Sequence, residues 1–387
     1  MRLEAMRSQG IEKIPVIDVD FHPMPRHLDR EVAKFLPRRW QDYIAAYGLG
    51  AGDAIYTGSP PARKYTHRLD AVEPNGRVAT DPHFARKQVL DEYDMTAAIL
   101  TCVSPFPPCG PNRPLDLALA LNRAFNDCMA ETWLTADPRY YSAISVARDL
   151  PDIAQEIRRC KEGPFGDRFV EVLISPAGAE PLGKQRYWPL FEACVEYDIP
   201  LACHVPPLGP KGTAGGATTY YCELHMNLVS YPLAIVPSMI FEGVFDRFPT
   251  LKIAFIELGW SFAPALAWRL DSIAQRLRGE ASHLKRKPSE YMRDHFWYST
   301  QPIEESEDPR HLESVYKIFE ENGFGEQLMF SSDYPHWDFD APAGSMPASH
   351  PIDRRRRILG ENASKLYGIP LRPNSGIVAH PYRQAAE

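Results

Sequence analysis

At 387 residues, with 44% hydrophobic and 24% charged residues and 18 Tyr, 18 Phe and 7 Trp, the chain has ample material for a globular core. Its formal net charge of -7 argues against a general affinity for nucleic acid or for an anionic membrane surface. The amino terminus MRLEAMRSQGIEK has no apolar signal core, no stretch of about 18 apolar residues stands out, and seven cysteines without a C-x-x-C pair fit a reduced, cytoplasmic setting.

Taken along the chain, short apolar runs alternate with longer amphipathic ones. Eight runs read as buried strands: Pro15 to Asp20, Ala98 to Val103, Tyr141 to Val146, Phe169 to Ile174, Pro200 to His204, Ile253 to Glu257, Phe296 to Thr300 and Leu328 to Asp333. Between them the pattern predicts helices over Leu115 to Ala136, Leu150 to Lys161, Trp188 to Tyr197, His225 to Phe245, Trp260 to Leu277, Pro309 to Asn322 and Asp353 to Tyr367. Parallel neighbours need a crossover, so strand-then-helix repetition implies a parallel sheet. Eight such units predict a closed (β/α)8 TIM barrel of the α/β class, with an open doubly wound sheet as the alternative; no G-x-G-x-x-G follows the first strand, which counts against a dinucleotide site.

The expected organisation is one barrel domain over residues 1–370, with loop insertions at about 48–82 and 206–223, and a C-terminal arm or tail at 371–387. The compact basic run Arg354 to Arg357 is expected to be a solvated helix face.

The polar residues carry the chemistry. In the first strand Asp18, Asp20 and His22 alternate onto one face under the strand period of two. His204 ends the fifth strand, Glu257 the sixth and Asp333 the eighth. A barrel places its active site at these carboxyl ends. Several buried carboxylates need something positive among them, and carboxylates combined with two imidazoles suit Zn, Mn or Fe with a position left open. Each residue also has an ordinary reading. His204 can be a satisfied core histidine and Asp333 the cap of a turn before Pro335. Glu257 can pair with Arg269 or cap the helix at Trp260, and His225 can cap its own helix. Cys203 reads as barrel filling, and Trp260, Trp268 and Tyr298 as packing.

The segments VIDVDFHPMP (16–25), ACHVPP (202–207), IFEGVFDRFPTLKIAFIELGWSFAPALAWRLD (240–271), MFSSDYPHWD (329–338) and GENASKLYGI resemble the amidohydrolase superfamily. The resemblance is to the amidohydrolase-related branch that contains aminocarboxymuconate-semialdehyde decarboxylase, and it covers most of the chain. It implies metal ligation by Asp20, His22, His204 and Asp333, with Asp333 and His204 catalytic, and Glu257, His336 and His225 as further ligands or supporting partners. It also departs from the family pattern. Asp20 stands where decarboxylases of this branch commonly have His or Glu, Glu257 stands where histidine is common, and no Lys or Glu ends the fourth strand to bridge two ions. The expected cofactor is a divalent ion, Zn, Mn or Fe, with a second ion possible if Glu257 and His336 turn inward.

Three function classes follow. The first is a metal-dependent lyase or hydrolase acting on a small carboxylate, amide or carbonyl compound by non-oxidative decarboxylation or hydrolysis. The second is an Fe- or Mn/Fe-dependent monooxygenase, or a subunit of one, acting on a small amine or related compound, as in relatives resembling the isobutylamine hydroxylase subunits. The third is a non-catalytic metal-binding partner subunit. The resemblance further implies a homodimer, or a heterodimer with a paralogous subunit.

Overall fold

A computed structural model describes residues 14–25, 30–48, 66–103, 114–204 and 218–371. Eight strands form one sheet in sequence order: β1 (Ile17–Phe21), β2 (Ala97–Leu100), β3 (Tyr140–Ser145), β4 (Phe169–Ile174), β5 (Leu201–His204), β6 (Ile253–Ile256), β7 (Phe296–Ser299) and β8 (Leu328–Met329). All seven adjacent pairings are parallel. The first and last strands also approach each other. Val19 N donates to Phe330 O at 3.1 Å, Asp333 N to Asp20 O at 3.1 Å and His22 N to Tyr334 O at 2.8 Å. These bonds nearly close the barrel and draw β1 and the β8 loop together, where the charged residues lie.

Alternation along the strands sorts their side chains into two layers. One set, including Phe21, Leu201, Cys203, Phe255, Phe296 and Tyr298, packs outward into a large cluster with the surrounding helices. The alternate set, including Ile17, Val19, Ala97, Ala143, Ala202 and Ala254, forms a smaller cluster with Tyr367 and Ile369 near the end of the described chain. Alanine recurs in that second set because the interior of an eight-stranded barrel is just wide enough for side chains to fill. Outside, Phe21 packs on Trp133, Tyr140 and Tyr334 with ring centroids 5.9, 5.8 and 4.8 Å away, which anchors the end of β1.

The predicted strands are all present: the fourth has the expected bounds, the third is shifted by one residue, and the others differ by a few residues at their ends. The helices follow the expected pattern, with one correction. His225 to Phe245 is not a single helix: it divides into Tyr221–Met226, Ser230–Phe241 and Val244–Arg247. Pro232 explains the first break, since within a continuous helix it would remove a hydrogen bond and clash with the carbonyl four residues earlier. In the first turn of a new helix its missing N–H costs nothing. Asn227 finishes the first piece by donating from Nδ2 to Glu223 O at 2.6 Å. Tyr221–Phe241 is apolar in composition, but it carries Glu223, His225 and Asn227 and its helix is broken after Met226, so it is not a continuous apolar run.

The basic run is also corrected. Arg354 is 5% exposed and pairs with Glu313 and Glu320 at 2.6 and 2.7 Å, while Arg357 reaches Glu320 at 3.0 Å, so the run ties helices together.

Of the first insertion, residues 66–82 are described, and they lean on the β8 loop. Arg68 N donates to Pro335 O at 2.9 Å, Trp337 N to Thr66 O at 3.2 Å, and His67 bridges His336. Within this stretch Glu73 accepts from Thr80 N, Thr80 Oγ1 and Asp81 N at 2.5, 2.6 and 2.8 Å, which fixes its course. Most of the second insertion, and the tail beyond residue 371, fall outside the described residues.

Candidate metal centre

The β1 sequence IDVDFH does not alternate as simply as its period implies. The register with β2 shifts between Asp18 and Phe21, and this irregularity gives Asp18 and Asp20 different surroundings. Asp18 turns to the β8 loop and accepts from Ser332 Oγ at 2.5 Å, Ser332 N at 2.8 Å and Asp20 N at 3.1 Å. It thereby braces the strand end rather than joining the cluster. Burial pushes its carboxyl up to about 7 against those hydrogen bonds.

Asp20, His22, His204 and Asp333, brought from three strands, do converge. They are 0%, 4%, 1% and 0% exposed, so nothing here is a loose surface contact. His22 Nε2 lies 3.0 Å from Asp333 Oδ1, 3.2 Å from Asp20 Oδ1 and 3.9 Å from Glu257 Oε2. His204 Nε2 lies 3.1 Å from Asp20 Oδ1 and 3.6 Å from Glu257 Oε2. Despite this proximity His22 Nε2 is aligned for a hydrogen bond with none of its neighbours, and Asp20 Oδ2 has no partner. Donor atoms roughly 2.1 Å from a common ion and about a right angle apart are separated by about 3 Å, so these spacings match the edges of a coordination shell. The donor atoms form two overlapping groups, each within 4.8 Å: Asp20, His22, His204 and Glu257, and His22, Glu257, Asp333 and His336.

Glu257 therefore turns inward, toward His22 and His204 instead of Arg269. It sits just past β6 with φ of 55°, and Asp333 has φ of 57°, a left-handed conformation uncommon for side-chain-bearing residues. Ser299 Oγ accepts from Glu257 N at 3.0 Å and holds that turn.

His336 donates from Nδ1 to Asp333 Oδ1 at 2.6 Å, and its ring lies 4.5 Å from that of His22. His225 joins neither group. It stands 3.1 Å from Asp338 Oδ2, and Gln301 Nε2 donates to both Asp338 at 2.8 Å and Asp333 at 3.0 Å. His225 thus touches the cluster only through Asp338 and Gln301, and Trp337 stands beside it with ring centroids 5.9 Å apart.

The electrostatics are those of a site crowded with negative charge. Burial opposes ionisation of Asp20, but the imidazoles of His204 and His22 outweigh it and hold the carboxyl well below the usual range. Burial, then the charges of Asp333 and Asp20, push Glu257 well up. Burial, then Asp20 and Asp338, do the same to Asp333. His22 is pulled up by Asp20 and Glu257 in spite of its own burial. The protons that such carboxyls otherwise keep are what a divalent cation displaces on binding.

The sequence profile of the amidohydrolase family matches residues 17–369. The chain belongs to the amidohydrolase family. This amidohydrolase is similar in fold to 5-carboxyvanillate decarboxylase from Sphingomonas paucimobilis, at 22% identity and TM-score 0.65, over 92% of this chain and 100% of that one. It is also similar to a 5-carboxyvanillate decarboxylase from Novosphingobium aromaticivorans complexed with manganese and 4-hydroxy-3-methoxy-5-nitrobenzoic acid, at 21% identity and TM-score 0.66, over 93% and 97% of the two chains. A dihydroxybenzoic acid decarboxylase from Polaromonas sp. JS666 with bound manganese and 2-nitroresorcinol matches at 19% identity and TM-score 0.61, over 94% and 100%. At such identities the likeness establishes a common barrel.

Several residues of the amidohydrolase site escaped sequence reasoning. Thr101, just past β2, donates from Oγ1 to Asp20 Oδ1 at 2.6 Å. Gln301 follows β7 and Asp338 follows the SSDYPH stretch; both lie beyond carboxyl strand ends, and that position was the available signal. Glu171 in mid-β4 is 0% exposed, and neither carboxylate oxygen has a well-aligned hydrogen bond. The Tyr367 hydroxyl is its polar neighbour. A charged residue inside FVEVLI was the only hint of it.

Proposed function

We propose that this amidohydrolase is a divalent-metal-dependent decarboxylase of a small carboxylic acid, with hydrolysis of a related carbonyl or amide compound as the neighbouring chemistry. The observation that carries the reading is the convergence of Asp20, His22, His204 and Asp333, with Glu257, at spacings near 3 Å in a buried knot. Family membership and the decarboxylases that share the barrel support it.

Asp20, His22, His204 and Asp333 would hold the ion, with Glu257 completing the shell. When bound, the ion supplies the positive charge that grips a substrate carboxylate and an adjoining oxygen. Thr101 fixes Asp20, while Gln301 and His336 fix the two oxygens of Asp333. Asp333, 2.6 Å from His336 Nδ1, is placed to pass the proton to the substrate carbon. In the reaction the bond from the substrate carbon to its carboxylate breaks, carbon dioxide leaves, and the electron pair left on carbon takes up that proton.

The test is metal analysis of the purified protein together with carbon dioxide release from a panel of hydroxylated aromatic acids. Release that is lost in Asp333→Asn, and lost on chelation and restored by manganese, is the expected result. No metal bound by the wild type would end the proposal.

The second donor group, His22, Glu257, Asp333 and His336, favours one further reading: a second ion and dioxygen chemistry, with the protein a monooxygenase or a subunit of one. Close to two ions per chain including iron, with oxygen uptake coupled to product, is its signature. One ion per chain and equal rates without oxygen would remove it. The resemblance to the family also carries a dimer, with an identical or a paralogous mate, and cysteine usage carries a cytoplasmic setting. Mass measurement in solution tests the first and fractionation the second.

A further inference from the structure

The opposite end of the barrel holds a cavity of about 700 Å3. Its wall is built from residues that precede strands: Lys252 before β6, His295 before β7 and Gln327 before β8. The metal ligands stand at or beyond the carboxyl ends of the same barrel, so the cavity is separate from that centre.

Five cationic side chains line it, and most are matched. Arg286 is bonded to Asp294, Lys365 to Glu326 at 2.7 Å, and Lys285 lies 3.9 Å from Asp246. Lys252 and Arg293 are not. The half-buried Lys252 ammonium has three protons to donate, and one goes to the backbone oxygen of Asp294 at 2.6 Å. Arg293 has no carboxylate within ion-pair distance among the described residues, and its stem packs at Gly323. Asp198 is the one remaining carboxylate of the lining, and it is exposed.

Burial lowers the pKa of Lys252 and the nearby charge of Lys365 lowers it further, against the attraction of Asp294 and Asp198. His295 is pushed down to about 4 by burial, against its hydrogen bond with Leu251 O and the charge of Asp294, with Lys252 and Arg286 adding to the fall. A partly desolvated ammonium and a guanidinium without a carboxylate partner among the described residues, both lining one cavity, are suited to an oxyanion. The volume is that of a small-molecule site.

We propose that this cavity at the amino-terminal end of the barrel binds a small anion, a phosphate or a carboxylate, between Lys252 and Arg293. It is a ligand site distinct from the metal centre.

The test uses the full chain stripped of metal with a chelator, so that no ion at the other end takes up the probe. Inorganic phosphate and citrate are titrated separately by calorimetry at constant ionic strength, with chloride as the reference. The expected result is saturable binding of at least one of them, weakened about tenfold or more in the Lys252→Met/Arg293→Met double variant, as loss of charge-assisted contacts predicts. Binding is expected to be unchanged in Asp333→Asn. Whichever probe binds identifies the phosphate or the carboxylate class. Absence of saturable binding by either probe, equal binding by the double variant, or loss in Asp333→Asn overturns the proposal. Should the double variant not fold, modification of wild-type Arg293 by phenylglyoxal, mapped by peptide mass, replaces it. The binding anion must slow that modification, and an unchanged rate refutes the site.

Discussion

Replacing Glu171 by glutamine is expected to stabilise the barrel, by an amount that grows with pH. The carboxyl is wholly buried, with no well-aligned hydrogen bond to either oxygen and the Tyr367 hydroxyl as its polar neighbour. Burial pushes its pKa from 4.5 to about 8, with the charge of Asp20 adding to the rise and the Tyr367 hydroxyl opposing it. The pKa is raised in the folded state. Below pH 4.5 both folded and unfolded chains carry the proton, and Glu171 costs nothing by this route. Between 4.5 and 8 the unfolded chain ionises while the folded chain does not, so stability falls by about 1.4 kcal/mol per pH unit. At pH 7 the accumulated loss is about 3 kcal/mol, and above pH 8 it levels off at about 5 kcal/mol. Glutamine keeps the shape and cannot ionise, so the variant escapes that loss. Urea unfolding of metal-free wild type and Glu171→Gln at pH 4, 6, 7 and 8 measures the gap. A gap near zero at the acid end that widens toward pH 8 is expected. A gap independent of pH, or a variant less stable than wild type at pH 8, would show that Glu171 is not held neutral and refute the argument.

Three other outcomes are expected. Thr101→Val removes the 2.6 Å hydrogen bond to Asp20 and should weaken metal affinity about 10- to 100-fold in competition with a chelator, with the fold intact; undiminished affinity would show that the hydroxyl does not support the ligand. Manganese at about 100 times its dissociation constant should stabilise the wild type by about 2.7 kcal/mol in thermal melts, with the effect lost in Asp20→Asn; melts of wild type indifferent to manganese would count against a metal centre. Arg354→Met strips the partner from Glu313 and Glu320, whose side chains are 49% and 27% exposed and can recover water, so the cost belongs at the lower end for a broken buried pair, about 3 kcal/mol. A loss well under 1 kcal/mol in chemical unfolding would return the basic run to a solvated face.

Much of this architecture was legible without coordinates. The apolar runs marked every strand because a barrel strand is buried on both faces, and the intervening helices carry the 3.6-residue period that packs on it. The positions of Asp20, His22, His204 and Asp333 at strand ends were legible for the same reason: a polar residue closing an apolar strand stands at a barrel rim.

Other features depended on meetings that no local pattern encodes. The shifted register between Asp18 and Phe21 separates two aspartates that an ideal period of two would place together, and it is Ser332, 314 residues away, that takes Asp18. Glu257 became part of the knot because its left-handed turn after β6 swings it toward His22 and His204. His225 stayed outside because its ring rests on Asp338, 3.1 Å away, and reaches the cluster only through it. Period and composition specify which face of each element is apolar; how closely two polar groups from different elements approach is set by the register and packing of the whole barrel, which the sequence expresses only through the folded chain.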